Sequence, residues 1–300
     1  MNFQVYQRTI DKLKDLGIVF VSIFGGEPTL HPRLIDMIKY ASSKKRKIFL
    51  NTDITGVAPE LIREIVEAGT NIISFSLDRV KSVKSNVRAI EAADSRINIV
   101  SDLQRKGYDC ALHCNITWYK ENIHEGKEVI EYLYRKGNIG ISVRPAVYPF
   151  PTSSVPMHIK ELLLDAEDTE YVKALMTWIS EKKKQGYPIL NPYTYLDGFS
   201  KFIQGGTKWD CGAFRDILSI DVDGKISQCS YFLQKAPEPL RSASLQVEDL
   251  SLSRIKEYRR KVVEPNLVEY CENKCYSPAY YCTAYYRGHL FELLKYYLKG

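Results

Sequence analysis

The chain has 300 residues, 45% apolar and 26% charged, with 42 Lys and Arg against 36 Asp and Glu for a net charge of +6. This composition excludes a disordered or low-complexity chain and supports a large buried core. The positive excess is spread out. Its one local run, Lys44-Lys45-Arg46-Lys47, reads as a solvated helix end before a strand, so no nucleic-acid partner is expected.

A charged, amphipathic helix over residues 4 to 16 comes first, with Ile10, Leu13 and Leu16 facing inward. It does not have the form of a signal peptide, and no apolar stretch approaches the roughly 20 residues of a membrane span, which places the protein in the cytoplasm. The strands expected next are Val19–Phe24, Ile48–Asn51, Ile72–Leu77, Cys110–Thr117 and Ile141–Arg144. Between them, Leu34, Ile35 and Ile38, then Leu61, Ile62, Ile65 and Val66, then Val129, Ile130 and Leu133 fall at helical spacing. Such alternation predicts parallel β-α units, compatible with a barrel, a partial barrel or an open doubly wound sheet. Because a β-α barrel opens with a strand, the leading helix implies an element upstream and a chain that starts mid-fold.

Pro149, Pro151 and Pro156 mark the end of this rhythm near Phe150, and a helix follows at Glu170–Lys184. Irregular sequence then leads to Trp209. Two apolar runs within Ile217–Ser230 flank Asp221-Val222-Asp223-Gly224-Lys225, a hairpin pattern because the Asp-Gly turn tolerates positive φ. Helices near Ser253–Val262 and Leu290–Leu298 bracket the last three cysteines. The expected division is an α/β portion over 1–150, a helical connector over 151–208 and a small cysteine-rich α+β extension over 209–300.

Two features carry chemistry. Gly25-Gly26-Glu27-Pro28 directly follows the first strand, where parallel folds place ligands. Paired glycines free backbone carbonyls and Glu27 adds a carboxylate, a set suited to an ammonium group; equally, it suits a tight turn capped by Glu27. The second feature is the seven cysteines, which in a cytoplasmic protein argue for metal or redox chemistry. Cys110 and Cys114 alternate with Leu112 and Ile116 and read as buried core, whereas His113 points the other way with no special role. Cys211 and Cys229 flank the hairpin, and Cys271, Cys275 and Cys282 follow. Soft thiolates at these two places suit an iron–sulfur centre; structural zinc prefers the Cys-x2-Cys pairs this chain lacks. Tyr276, Tyr280, Tyr281, Tyr285 and Tyr286 are expected to pack around that centre or a groove.

The passage from Val21 through Gly25-Gly26-Glu27-Pro28 to Leu34 closely resembles the second strand of the radical S-adenosylmethionine (SAM) superfamily. Leu50-Asn51-Thr52-Asp53 is similar to its third-strand end, although Asp53-Ile54 replaces the usual Asn-Gly. Ile73 through Asp78 resembles the fourth-strand Ser-Leu-Asp segment, and Asn115 and Arg144 fall on the fifth and sixth strands. The Cys211–Cys229 hairpin resembles the opening of SPASM and twitch extensions, though the later cysteines depart from the full SPASM pattern.

The resemblance implies a partial (β/α) barrel lacking its first strand, with Gly25, Gly26 and Glu27 on the SAM amino group and Thr52 at the same site. It implies Ser76 and Asp78 at the ribose or carboxylate, and Asn115 and Arg144 as further contacts. It also implies one auxiliary 4Fe–4S cluster held by four of Cys211, Cys229, Cys271, Cys275 and Cys282. The family's Cys-x-x-x-Cys-x-x-Cys loop, which holds the cluster that cleaves SAM, does not occur in this sequence. Its place is upstream of residue 1, and the chain as it stands is expected to be inactive. With that loop, the implied activity is reductive cleavage of SAM to a 5′-deoxyadenosyl radical, with electrons from a ferredoxin or flavodoxin. The substrate class implied is a peptide, lipid or cofactor precursor. The alternatives are a non-catalytic metal- or partner-binding protein on a degenerate barrel, or a zinc-containing β/α protein.

Overall fold

The structure is a computed structural model that describes residues 1–83, 88–147, 160–206, 208–227, 229, 245–265 and 275–289. Pro149, Pro151, Pro156, Cys271 and the helix expected at Leu290–Leu298 lie outside the described residues. The chain divides into two compact units: Asn2–Thr117 with Asn122–Ser142, and Trp118–Glu121 with Val143–Gly300 and Met1.

In the first unit, α1 (Phe3–Asp15) leads into five strands: β1 (Phe20–Ile23), β2 (Lys47–Asn51), β3 (Ile72–Ser76), β4 (Ala111–Trp118) and β5 (Ile139–Pro145). They lie side by side in chain order, and the pairings from β1 to β4 are parallel. The connecting helices are α2 (Leu34–Ser43), α3 (Pro59–Glu67), α4 (Ile90–Arg105) and α5 (Gly126–Lys136). Because each crossover steps to the next strand in one direction, the right-handed rule puts all four helices on one face. Burial agrees. Ile48, Leu50, Ile73, Phe75, Leu112, Cys114 and Ile116 are buried along with helix stripes such as Ile62, Ile65 and Val66.

Every expected strand is present, with no end shifted by more than two residues. The helix α4 has no counterpart in the sequence reading, although Ala93, Ile97, Val100 and Leu103 form its buried stripe. Polar Asp94, Ser95 and Asn98 dilute that stripe in the sequence. Cys110 and Cys114 are buried at 3% and 0% exposure, as their alternation predicts.

In the second unit, α6 (Thr169–Lys184) and α7 (Tyr193–Ile203) follow the sheet. The buried Asn191 side chain both accepts from Val143 N at 2.7 Å and donates to Val143 O at 3.1 Å, standing in for a neighbouring strand. The helix α7 falls where the sequence reads as irregular, because Gly198 interrupts it. A Cβ at that position would collide with the Tyr276 hydroxyl, so glycine is what allows Tyr276 to lie against the helix. Tyr276 stacks on Tyr195 at 4.3 Å, and each hydroxyl donates to the other's carbonyl. The expected hairpin forms as β6 (Ser219–Ile220) and β7 (Lys225–Ser227), joined by a third antiparallel strand, β8 (Leu245–Gln246). Asp221 Oδ1 closes the turn by accepting from Asp223 N and Lys225 N, both at 2.9 Å. Gly224 takes a φ of 82° there. Beyond α8 (Leu252–Tyr258), α9 (Pro278–Gly288) contains Cys282, which the sequence reading places between helices. No helix among the described residues is long and apolar enough to cross a membrane.

Candidate functional site

The diglycine corner is held by its glutamate. Glu27 is the N-cap of a short 3₁₀ turn, Pro28–Leu30. Its Oε1 accepts from Thr29 N at 3.0 Å, Thr29 Oγ1 at 2.6 Å and Thr52 Oγ1 at 2.6 Å, while Oε2 accepts from Asp53 N at 2.7 Å. Burial alone would raise this carboxyl's pKa, but the donors from Asp53, Thr29 and Thr52 outweigh it and hold it below the usual carboxylate range. Glu27 is therefore ionised at neutral pH. Oε1 is saturated, and Oε2 keeps acceptor capacity for one more donor. At Gly25 and Gly26 a Cβ would meet nothing within 4 Å, so the backbone here borders open space. The capping role and the ammonium-holding role are thus compatible, each using a different oxygen.

Thr52 completes the brace between two strand ends. Its hydroxyl goes to Glu27, and its backbone N–H donates to Ser74 O at 2.9 Å. Asp53 caps Thr55, its Oδ1 accepting from Thr55 Oγ1 at 2.6 Å.

The helix-free face of the sheet combines a polar row with Phe20, Phe49 and Ile72. By strand alternation it carries Ser22, Asn51, Ser74, Ser76, His113, Asn115, Ser142 and Arg144. Asn51 donates to Ser22 Oγ at 3.0 Å, and Asn115 Nδ2 donates to Ser74 Oγ at 2.9 Å. Ser74 Oγ lies 3.1 Å from His113 Nδ1, and His113 Nε2 lies 2.9 Å from Ser142 Oγ. The edge of the Phe49–His113 pair, with centroids 5.7 Å apart, packs beside this row. Burial pushes the His113 imidazole down to about 4, so it is neutral at pH 7. The sequence reading gives His113 no role; the structure makes it the middle of a hydrogen-bonded row. The signal was present in the alternation, which already put His113 on the face opposite Cys114.

Ser76 stands opposite Asn115 in the register. Asp78 is 3% exposed, and its Oδ1 accepts from Thr117 N at 2.8 Å. Its backbone O accepts from Asn122 Nδ2 at 3.0 Å, and Arg88 Nη1 lies 3.8 Å from Oδ2. Asp78 ties the end of β3 to the end of β4.

Arg144 belongs to the second unit, where its charge acts on the Cys275 thiol. Burial pushes Cys275 up to about 11, with the neighbouring Cys211 adding to the rise. Cys211 packs with Cys229 and Tyr280 in one apolar cluster, and Trp209 Nε1 donates to Cys275 O at 2.9 Å. Cys282 is pushed up to about 12 by burial, and Lys183 is the charge that opposes the rise. Among the described residues, no three His, Cys, Asp or Glu side chains converge as a metal site. The described thiols alone therefore do not make a cluster position, Cys271 lying outside them. Of the tyrosines, Tyr280 packs against Cys211 and Cys229, while Tyr276 and Tyr281 join the aromatic core with Trp209.

Residues 1–133 match the model of the radical SAM superfamily. The Fe-coproporphyrin III synthase of Methanosarcina barkeri is 23% identical over 192 residues, covering 63% of this chain and 47% of that protein. The PqqA peptide cyclase of Rhizobium meliloti is 25% identical over 285 residues, 87% of this chain and 68% of its own length. The chain thus spans about half of the first relative and two thirds of the second. Streptococcus suis SuiB bound to S-adenosylmethionine superposes with a TM-score of 0.61 at 16% identity, covering 89% of this chain and 60% of SuiB. That last likeness concerns the fold.

Proposed function

We propose, from the match of residues 1–133 to the radical SAM superfamily model, that this chain binds SAM in an enzyme that modifies a peptide or a cofactor precursor. The observation that carries the reading is the ionised Glu27 beside an open diglycine corner, its Oε2 holding a single hydrogen bond among the described residues. In this reading Oε2 and the carbonyls of Gly25 and Gly26 take the three donors of the SAM ammonium, while Thr52 keeps the carboxylate aimed. Ser76 and Asn115 meet the nucleoside, and Asp78 positions the neighbouring strand ends. SAM, when bound and reduced, supplies a 5′-deoxyadenosyl group for hydrogen abstraction. The chain's own residues bind and orient; the three-cysteine loop that holds the cleaving cluster is not among these 300 residues.

The names of the relatives support both substrate classes, one acting on a peptide and one making a porphyrin. A ferredoxin or flavodoxin is the proposed electron donor, and the cytoplasm the proposed location. For the tail, residues 209–300 are proposed as an auxiliary domain in which four of Cys211, Cys229, Cys271, Cys275 and Cys282 supply the thiolates of a 4Fe–4S cluster. The shared packing of Cys211 with Cys229 and the reach of Cys211 to Cys275 support this grouping. Cys282, set beside Lys183, is the spare. Anaerobic reconstitution tests it: about four iron and four sulfide per chain are expected, and one bound zinc with no colour would sink it.

Calorimetric titration with SAM tests the main reading. Wild-type protein should bind, and Glu27→Gln should bind at least about tenfold more weakly through loss of the charge-assisted bond. Equal affinities would refute the assignment of Glu27.

A further inference from the structure

The polar row on the helix-free face has a direction. Ser74 Oγ accepts from Asn115 Nδ2 at 2.9 Å and has one proton of its own to give. Its neighbour at 3.1 Å is His113 Nδ1, and the other ring nitrogen lies 2.9 Å from Ser142 Oγ. If Ser74 donates to Nδ1, that nitrogen is the acceptor of a neutral ring and Nε2 carries the hydrogen that goes to Ser142. The chain of donors then runs Asn115 to Ser74 to His113 to Ser142. Burial keeps the ring neutral, which is what allows one nitrogen to accept. Ser74 and Ser142 are themselves buried, at 1% and 6% exposure, so their hydroxyls have few other partners to turn to.

The consequence falls on Asn115. Its amide nitrogen is committed to Ser74, and among the described residues its Oδ1 has no donor. Asn115 is also partly exposed and stands opposite Ser76 in the sheet register. We propose that His113 is a positioning residue that fixes the Asn115 amide with its carbonyl toward the ligand, so that this point of the site accepts a hydrogen-bond donor and rejects an acceptor. The donor is a ribose hydroxyl or the amino group of the adenine, which share that chemistry. This inference rests on reading the diglycine corner as a SAM site.

Two measurements on the wild-type chain test it. Long-range proton–nitrogen correlation spectra of the His113 ring should show a neutral imidazole protonated at Nε2; protonation at Nδ1 would overturn the stated direction. Titrations should compare SAM with its 2′-deoxy and 3′-deoxy analogues and with the analogue whose adenine amino group is replaced by hydrogen. One analogue should bind about tenfold more weakly, the cost of leaving one acceptor unmet. That arm identifies the donor, and unchanged affinity in all three overturns the proposal.

Variants add a readout that a merely structural role would not move. His113→Leu should lose about tenfold for SAM yet lose nothing further with the weakened analogue. His113→Gln offers Ser74 an acceptor and Ser142 a donor, and it should return SAM affinity to within about threefold of wild type. If His113→Leu does not fold, as judged by circular dichroism, the wild-type spectra and analogues still decide. Failure of wild-type protein to bind SAM would refute the site reading beneath the proposal. Binding with the opposite tautomer would refute only the orientation of Asn115.

Discussion

On β4, His113 and Cys114 are neighbours in the chain and opposites in chemistry. Cys114 faces the helices, is fully buried, and has its thiol pKa driven well above 9 by lack of solvent. His113 faces away from them, and each ring nitrogen has a serine partner. The same contrast holds on β3, where Phe75 is buried toward the helices and Ser74 and Ser76 look the other way. One topological rule separates apolar packing from the hydrogen-bonded row in this unit. Right-handed crossovers between adjacent strands place every connecting helix on one side, which leaves the other side to be filled by groups that need hydrogen bonds.

Breaking the helix-facing side should have the largest effect. Phe75→Ala, at a site 2% exposed, should destabilise the protein by about 3–5 kcal/mol in urea unfolding. Ser76→Ala, one residue later on the other face, should change stability by no more than about 0.5 kcal/mol. Comparable losses from the two would erase the distinction. Next comes Glu27→Ala, which strands the donors of Thr29, Thr52 and Asp53. Here about 2–3 kcal/mol of stability should go, with little effect if these donors find water instead.

The pH dependence sharpens the comparison. His113 has a folded pKa near 4 against an ordinary value of 6.5, so the unfolded chain binds its proton first. The stability linked to this ring is intact above about pH 6.5 and is lost as pH falls toward about 4, on the order of 2–3 kcal/mol. In His113→Gln that slope should disappear from urea midpoints measured across the window. Below it, protonation of Glu27, whose pKa is lowered, continues the loss. The smallest effect is kinetic and lies on the helix side. Burial pushes Cys110 up to about 12, and it drives Cys114 well above the ordinary thiol value. Iodoacetamide at neutral pH should leave both unlabelled until denaturant is added, since the thiolate is the reactive form.

A second contrast separates the sheet from the tail. In the sheet, polar groups meet partners across strands; in the tail, Cys211 and Cys229 pack beside Ala213 and Tyr280 like apolar side chains. Reconstitution with iron and sulfide is the treatment that would turn that packing into coordination, and unchanged spectra for the Cys229→Ala protein would show that this thiol is not a ligand.

Hydrophobic periodicity in the sequence determined the β-α order, the five strands, the buried Cys110 and Cys114 and the diglycine corner, because strand and helix periods depend on local spacing. The family resemblance added the ligand proposed for that corner. Only the tertiary structure decided that Glu27 divides its two oxygens between Thr52, Thr29 and Asp53, or that His113 joins Ser74 to Ser142. Apart from Thr29, those partners lie 25 to 39 residues apart, and their meeting depends on strand register, which periodicity alone does not specify. The helix α7 was hidden for a related reason. Its glycine looks like a break until Tyr276, far along the chain, is seen to occupy the space a side chain would fill.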